Sequence, residues 1–289
     1  MINPKNKWRR YNTPLGICIN EKCETVISKY LIPNYQGQIQ LIFTSPPFPL
    51  NRAKKYGNLM GDEYKKWLCD VVKSMLPLLT EDGSIVIEIG NAWNYGEPTF
   101  STLPMETLLS IKNECGLSLC QEFIYYNPAR LPSPIQYVNI DRIRVKDSFT
   151  RVWWFSRSAN PKANNRNVLK QYSKQMKKLL ETGQYNAGER PSEHSISETA
   201  FNNDNGGAIP SNVIIASNTN SRDPYLLRCK ENGIKIHPAR MPFEVPRFFI
   251  NLLTDENDIV MDCFAGSNTT GYCAEEAKRR WISVEADKD

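Results

Sequence analysis

The chain has only two histidines among its 289 residues. Neither His194 nor His237 has a second histidine or a cysteine at the spacing of metal ligands. The eight cysteines are scattered and include no CxxC pair. Because zinc and iron sites need clustered ligands, the sequence predicts no metal centre. With no secretory signal to indicate an oxidising compartment, the thiols are expected to be reduced.

Long apolar runs are also missing. No stretch approaches the roughly 20 apolar residues that cross a bilayer, and residues 1–11 are polar and basic. We therefore expect a cytoplasmic protein that has no membrane partner. The net charge of +5 is modest, so its distribution matters more than its sum.

Much of the positive charge lies in residues 160–190. The basic residues there are Lys162, Arg166, Lys170, Lys174, Lys177, Lys178 and Arg190, against Glu181 and Glu189. Such a segment could contact the phosphates of a nucleic acid. A charge row at helical spacing is, however, usually only the solvated face of a helix.

Short β-branched runs recur along the chain, with helical patterns between several of them. The predicted strands are residues 16–19, 39–43, 84–89, 122–125, 152–155, 259–261 and 281–284. Amphipathic helices are predicted over residues 62–79 and 267–280. This alternation predicts an α/β fold with a mostly parallel, Rossmann-like sheet and helices on both faces.

The composition changes between about residues 160 and 235, where asparagine, serine, glycine and charged residues dominate. Residues 202–207 read Asn-Asn-Asp-Asn-Gly-Gly and have almost nothing to bury. A stretch of this length is too long for an ordinary connection. We therefore predict an inserted region at 160–235, between one part of the main domain at 1–159 and another at 236–289.

A loop of small residues follows the predicted strand 258–262 and leads into a helix. Such a loop lets a nucleotide-like ligand approach the backbone closely. The dinucleotide pattern GxGxxG is absent; Gly266 and Gly271 flank Asn268, a residue type that tolerates a left-handed backbone. Glu285 ends the next strand, 19 residues after Gly266, where a carboxylate can accept from ribose hydroxyls. The alternative is a plain turn with a surface acid.

A second loop, Thr44-Ser45-Pro46-Pro47-Phe48, follows the predicted strand 39–43. Two prolines fix the backbone and remove two N–H donors, so the carbonyl groups of this loop are presented rigidly. The Ser45 hydroxyl and the Pro46 carbonyl can both accept from an exocyclic amino group, and Phe48 offers a face for base stacking. A simple strand-terminating turn is the alternative.

Together the two loops make the chain recognisable. Residues 45–48 resemble the catalytic motif of DNA amino-methyltransferases, in the serine form typical of cytosine-N4 enzymes, whereas adenine-N6 enzymes more often have aspartate there. Residues 262–271 resemble the S-adenosylmethionine loop of the same enzymes. The order, with the catalytic motif first and the cofactor loop last, is that of their β group. The resemblance implies a circularly permuted class I methyltransferase sheet whose displaced strand is residues 17–21.

The resemblance covers nearly the whole chain. Residues 237–240 and the following helix at 245–253 resemble the segment that lines the methionine end of the cofactor. Residues 127–134, 142–147 and 152–156 resemble cytosine-N4 members closely, and so do residues 204–210 in the inserted region. The inserted region is therefore expected to be a target-recognition region, within a site-specific enzyme that methylates a flipped cytosine.

The resemblance assigns roles to individual residues. The catalytic residues are Ser45, Pro46, Pro47 and Phe48. The cofactor-binding residues are Glu21, Thr44, Pro238, Asp262, Phe264, Gly266, Ser267, Asn268, Thr269, Thr270 and Glu285; Glu21 stands where aspartate is commoner. Tyr126 is a candidate for stacking on the flipped base, although it is equally explicable as a core aromatic. The candidate DNA contacts are Arg52, Lys54, Lys55, Lys162, Arg166, Lys170 and Lys174.

The implied cofactor is S-adenosyl-L-methionine and the implied partner is double-stranded DNA. A cognate restriction endonuclease is a functional partner that need not bind the protein. Adenine-N6 methylation is the alternative activity; a catalytically silent DNA-binding module and a small-molecule methyltransferase are further alternatives. Cytosine-C5 chemistry is disfavoured because the sequence has no Pro-Cys dipeptide. The recognition sequence cannot be derived from residue types, but the resemblance makes CAGCTG the first to test.

Overall fold

The structure is a computed structural model that describes residues 8–49, 59–183, 188–189, 191, 195–197, 201–219, 224–236 and 240–287. The strands are β1 (Arg9–Asn12), β2 (Gly16–Asn20), β3 (Ile39–Thr44), β4 (Leu79–Gly90), β5 (Ser118–Tyr126), β6 (Phe149–Ser156), β7 (Gly188–Glu189), β8 (Ser195–Ile196), β9 (Val213–Ile215), β10 (Ile259–Asp262) and β11 (Arg280–Glu285). The α-helices are α1 (Cys23–Val26), α2 (Ile32–Tyr35), α3 (Gly61–Met75), α4 (Leu103–Glu114), α5 (Lys174–Thr182), α6 (Pro224–Glu231), α7 (Glu244–Leu253) and α8 (Thr269–Glu276). Short π-helices cover Ile27–Leu31 and Gln136–Ile140, and 3-10 turns cover Leu76–Leu78 and Asn165–Val168.

One large sheet has the strand order β1-β2-β11-β10-β3-β4-β6-β5-β9. Strands β2, β11, β10, β3 and β4 are parallel, while β6 runs antiparallel to both of its neighbours, β4 and β5. The last strand, β11, pairs with β2 near the start of the chain, with Ser283 opposite Cys18. The first and last segments therefore close one continuous sheet, and the permuted α/β arrangement predicted from the sequence is confirmed.

The predicted strands are all present, and the parallel strands β3 and β10 at the centre of the sheet are buried on both faces, as parallel strands between helices require. All six residues of β3 are buried, and so are all four of β10. Helix α3 covers the sheet with Tyr64, Leu68 and Val72, which lie one helical turn apart and are at most 1% exposed. On α7, Phe249 packs against Phe43 of β3. No helix in the described ranges is both long and apolar enough to cross a membrane.

The chain divides into two compact units, residues 1–163 with 212–289 and residues 164–211. The second unit therefore begins later and ends earlier than the predicted inserted region at 160–235. Strand β9 lies within that predicted region but pairs with β5 of the large sheet, with Ile124 opposite Val213. This run of three β-branched residues is too short to stand out in the sequence. The functional extent of the recognition region stays a prediction.

Residues 164–211 form their own hydrogen-bonded unit. Helix α5 is capped at Ser173, whose Oγ accepts from the Met176 N–H at 3.1 Å, and it ends at Gly183 with φ +65°. A bridge joins Lys170 to Ala208. The Tyr172 hydroxyl accepts from the Asn205 N–H at 2.8 Å.

The centre of the large sheet is a topological switch point. Strands β10 and β3 are adjacent, but β10 leads through α8 to β11 on one side, whereas β3 leads through α3 to β4 on the other. The carboxyl ends of the two strands thus leave a crevice between their loops. Open α/β sheets bind their ligands in such crevices.

Candidate active site

The two loops singled out in the sequence meet at this switch point. Thr44 ends β3, and its buried hydroxyl donates to Asp262 Oδ1 at 2.8 Å. The same oxygen accepts from the Phe264 N–H at 3.0 Å, and Asp262 Oδ2 accepts from the Thr270 hydroxyl at 2.6 Å. One carboxylate therefore ties the proline loop to both ends of the glycine loop.

Burial dominates the electrostatics of Asp262. Removal from water raises the pKa of this carboxyl from its ordinary 3.8 to about 6, although the hydrogen bonds from Thr270, Thr44 and Phe264 oppose the rise. A nearby carboxylate, Glu285, adds to it. Asp262 is thus an acceptor held by neutral donors rather than by a cation.

A second buried carboxylate holds Ser45. The parallel register of β3 and β4 sets Thr44 opposite Ile87, so the next residues, Ser45 and Glu88, come together. The Ser45 hydroxyl donates to Glu88 Oε2 at 2.6 Å, and the Thr150 hydroxyl of β6 donates to Oε1 at 2.8 Å. Because the Ser45 proton is committed to Glu88, the lone pairs of Ser45 Oγ remain available to an amino group.

Burial also raises the pKa of Glu88. The hydrogen bonds from Ser45 and Thr150 and the positive charge of Arg130 lower it only in part. Glu88 is not among the site residues predicted from the sequence, although the sequence contains a signal for it. A lone carboxylate inside the apolar run at residues 84–89 is unusual, because buried charges need partners.

Phe48 lies directly over the end of β4. A Cβ atom at Gly90 would stand 2.3 Å from Phe48 Cδ2, so only glycine leaves room for this ring position. Within the loop, Pro46 is buried and Pro47 is exposed. The strand end thus fixes the aromatic ring on the same side of the sheet edge as Ser45.

The glycine loop has the backbone that the sequence predicts. Asn268 caps α8 in the left-handed conformation, with φ +57°, which confirms that it stands in for a glycine. Its Oδ1 accepts from the Gly271 N–H at 3.2 Å and from the Ser283 hydroxyl at 2.5 Å. The Ser267 and Thr269 hydroxyls lie 3.1 Å apart, within hydrogen-bonding distance. Side-chain hydrogen bonds therefore hold the loop in shape.

Glu285 forms hydrogen bonds with several backbone groups on the cofactor side of the site. Its Oε2 accepts from the Gly266 N–H at 2.6 Å, and Oε1 accepts from the Asp287 N–H at 2.8 Å. Its backbone carbonyl accepts from the Glu21 N–H at 3.1 Å, so the ends of β2 and β11 are adjacent. The Glu21 carboxylate itself accepts from the Lys22 N–H at 2.8 Å.

These residues suit a nucleoside-type cofactor. Each Glu285 carboxylate oxygen uses one of its two acceptor positions, which leaves capacity for ribose hydroxyls. Phe264, whose ring centroid is 5.6 Å from that of Trp67, adds an aromatic wall. The described residues that the sequence assigned to the cofactor thus surround the carboxyl ends of β2, β11, β10 and β3.

The structure supports the other predicted site residues to different degrees. Pro238, Arg52, Lys54 and Lys55 lie outside the described residues. Lys162 forms ion pairs with Asp255 and Asp258, each at 2.7 Å, so its charge is already compensated and its predicted phosphate contact gains no support. Arg166, Lys170 and Lys174 belong to the unit at 164–211. Tyr126 ends β5 and is 37% exposed, which leaves part of its ring accessible.

The permuted sheet, with two loops that meet at its switch point, has the architecture of a class I methyltransferase. The family model for N6 and N4 methyltransferases, described as DNA methylase, matches residues 39–289. The type II methyltransferase M.PvuII of Proteus hauseri is 46% identical over 249 residues, which is 86% of this chain and 74% of the relative. The type II methyltransferase M.BglII of Bacillus subtilis is 21% identical over 88% of this chain and 61% of its own length.

Solved structures of DNA methyltransferases also resemble this chain. The PvuII DNA methyltransferase, described as cytosine-N4-specific, has a TM-score of 0.75 and 36% identity, covering 96% of this chain and 84% of that one. A complex of M1.HpyAVI with SAM has a TM-score of 0.55 at 16% identity, covering 95% of this chain and 94% of that one, a likeness that shows the fold alone. The chain therefore belongs to the N6 and N4 family of DNA methylases.

Proposed function

We propose that this protein transfers the methyl group of S-adenosyl-L-methionine to the exocyclic N4 amino group of cytosine in double-stranded DNA. The observation that carries this proposal is the hydrogen bond from Ser45 to the buried carboxylate of Glu88, next to the link between Thr44 and Asp262. In this proposal the Ser45 hydroxyl, beside the cofactor loop, accepts from the amino group. The serine form of the loop and the likeness to M.PvuII favour cytosine over adenine.

S-adenosyl-L-methionine supplies an electrophilic methyl group next to the proline loop. In this proposal Glu285 and Glu21 bind its nucleoside end, and Phe264 packs against it. The backbone of Gly266, Ser267, Asn268, Thr269 and Thr270 approaches it closely, while Thr44 and Asp262 hold the loop in place. Pro238, from the segment before α7, lines the methionine end.

The proline loop orients the attacking nitrogen. The amino group of cytosine donates one hydrogen bond to Ser45 Oγ and one to the Pro46 carbonyl, while Pro47 keeps the loop rigid. The nitrogen lone pair then points out of the base plane toward the methyl group. When bound, S-adenosyl-L-methionine would supply the methyl group, and the nitrogen that takes it up would lose one proton to solvent past Ser45, whose hydroxyl Glu88 keeps aligned.

The target cytosine must leave the base stack, because its amino group is inaccessible to this chemistry within the duplex. We place the flipped base between Phe48 and Tyr126, which is partly exposed at the end of β5. Arg166, Lys170 and Lys174 of the unit at 164–211 contact phosphates. That unit forms the core of the target-recognition region, and Arg52, Lys54 and Lys55 are further phosphate contacts.

We also propose a biological setting. M.PvuII is a type II methyltransferase, and the same role for this chain would be the protection of host DNA in the cytoplasm from a cognate restriction endonuclease. This partner shares the DNA site with the methyltransferase and need not bind it.

The direct test incubates the protein with tritiated S-adenosyl-L-methionine and two duplexes of equal base composition, one of which contains CAGCTG. Digested nucleosides are then identified by mass spectrometry. N4-methylcytosine from the CAGCTG duplex alone would support the activity and the site. N6-methyladenine would replace the proposed activity with its alternative, and 5-methylcytosine would contradict both. Ser45→Ala is expected to lose transfer while it retains cofactor binding.

A further inference from the structure

The connection between β5 and β6, residues 127–148, is an unusually long hairpin loop. Because β5 runs parallel to β4, this loop lies at the carboxyl edge of the sheet, where Ser45 and Glu88 meet. Asn91, which follows β4, donates to Asp147 Oδ1 at 2.9 Å and to the Phe149 carbonyl at 3.1 Å. Connections of this length in a compact domain are commonly functional.

The hairpin loop is internally ordered. The Asp147 N–H donates to the Ser133 carbonyl at 3.2 Å, and the Asn127 N–H donates to the Ser148 carbonyl at 2.8 Å. The Arg130 guanidinium donates to the Phe149 carbonyl at 3.1 Å, and its charge acts on Glu88. The base of the loop is therefore fixed to the site described above.

The same loop exposes apolar side chains that its own packing does not cover. Leu131 is 80% exposed and Val145 is 86% exposed, and Ile135 and Ile140 are also exposed. Leu131 follows Arg130 directly and precedes Pro132, which restricts the backbone of Leu131 as well as its own. Leu131 thus projects an aliphatic side chain from a conformationally restricted segment, near the carboxyl edge of the sheet where Ser45 and Glu88 meet.

Positive charge accompanies this apolar surface. Among the described residues, no carboxylate forms an ion pair with Arg142, Arg144 or Lys146; Arg144 and Lys146 donate instead to the carbonyl groups of Pro98 and Pro128. Cations without ion-pair partners among the described residues, beside exposed aliphatic groups, complement duplex DNA, which offers phosphates next to an apolar base stack.

We propose that the hairpin loop is a DNA-binding element whose Leu131 inserts into the base stack and fills the space left by the flipped cytosine, while Arg142, Arg144 and Lys146 contact the flanking phosphates. This inference rests on the proposed methylation of DNA. Leu131 is the wedge rather than Val145, because Leu131 adjoins Arg130, whose guanidinium donates to the carbonyl of Phe149, the residue before the Thr150 that donates to Glu88.

Leu131→Ala tests the wedge with two duplexes that share the same target strand. One duplex pairs the target cytosine with guanine, and the other places an abasic site opposite it. We expect the single-turnover rate of the variant to fall about tenfold or more on the paired duplex and to stay near wild type on the abasic duplex, where little unpairing is needed. Leu109→Ala, which alters a 54% exposed leucine on α4, is the matched control and is expected to match wild type on both.

An equal loss on both duplexes, or no loss on either, would overturn the wedge. A selective loss in Val145→Ala instead would assign the insertion to another residue and overturn the role of Leu131. If the wild-type protein methylates neither duplex, the proposed function itself fails, and this result is distinct from a wild-type protein that is active on both.

The phosphate contacts have a separate readout. Replacing Arg142, Arg144 and Lys146 together by alanine is expected to reduce the slope of log Kd against log salt by about 2.7, since each phosphate contact contributes about 0.9. An unchanged slope would show that these cations face something other than DNA, such as a protein partner, and would overturn the assignment.

Discussion

Glu88→Gln is the most informative single substitution in the site. Glu88 accepts hydrogen bonds from two hydroxyls, Ser45 at 2.6 Å and Thr150 at 2.8 Å. A glutamine has nearly the same shape, but one of its terminal atoms is an NH₂ donor. If that group faces Ser45, the Ser45 oxygen must accept from it and loses a lone pair that the proposed mechanism directs at the cytosine amino group.

The size of the effect follows from the bond that is lost. A hydrogen bond to a charged acceptor contributes about 1.5–3 kcal/mol. If this bond acts fully in the transition state, the rate of methyl transfer falls by about ten- to 150-fold. Cofactor affinity is expected to stay unchanged, because Thr44 and Asp262 keep their own hydrogen bond. The free energy of unfolding at pH 7 is not expected to fall, since the glutamine removes a buried charge whose pKa is raised.

Single-turnover transfer of tritium at saturating cofactor and DNA measures this rate. A double-mutant cycle with Ser45→Ala tests the cause: both changes break the same bond, so their effects are expected to overlap rather than add. Glu122→Gln, which alters a carboxylate paired with Arg151 on neighbouring strands, is the matched control. A Glu88→Gln rate within twofold of wild type, or fully additive effects in the cycle, would refute the role given to this bond.

Three further predictions follow from the same region. The pKa of Asp262 rises from 3.8 to about 6 on folding, so the native state holds this proton more tightly; its contribution to the free energy of unfolding is greatest below pH 4 and falls by about 3 kcal/mol as the pH rises through 6. Urea unfolding at pH 4 and pH 7 is expected to show this loss in the wild type and not in Asp262→Asn. Gly90→Ala is expected to displace Phe48, with a cost of about 1–3 kcal/mol in stability and a lower transfer rate at unchanged cofactor affinity, measured by unfolding, kinetics and calorimetry. Asn268→Ala is expected to cost about 1–2 kcal/mol because the helix cap is lost, and Asn268→Gly less because glycine accepts φ +57°; thermal unfolding compares the two variants.

The sequence predicts the sheet and its two loops because each carries a local signature. A short β-branched run marks a buried strand wherever it pairs, and the prolines at 46 and 47 and the glycines at 266 and 271 restrict or free their own backbones. The link between Thr44 and Asp262 follows as soon as β3 and β10 are neighbours. The two loops are therefore predictable from the sequence, whereas the hydrogen bond between Thr44 and Asp262 depends on the pairing of β3 with β10.

The position of Glu88 beside Ser45 cannot be predicted from the sequence in the same way. Whether Glu88 meets Ser45 depends on the register of β3 against β4, and a shift of one residue would turn Glu88 to the other face of the sheet. Strand β9 and the shape of the hairpin loop likewise depend on tertiary pairing, because a three-residue strand has too little pattern to stand out. Register and long-range pairing are properties of the whole fold and not of any window of sequence.

Two successive residues of the proline loop are held by two different buried carboxylates, Thr44 by Asp262 and Ser45 by Glu88. Burial raises the pKa of both carboxyls, and each is held mainly by neutral hydroxyl donors. Such an arrangement lowers stability, yet it fixes the rotation of the peptide between the two residues and hence the direction of the Ser45 oxygen. Replacing both carboxylates by their amides keeps most of the hydrogen bonds and removes two buried charges. The double variant Asp262→Asn with Glu88→Gln is therefore expected to be more stable than the wild type at pH 7 and slower in methyl transfer, which is the relation expected where stability is sacrificed to pre-organise a catalytic group.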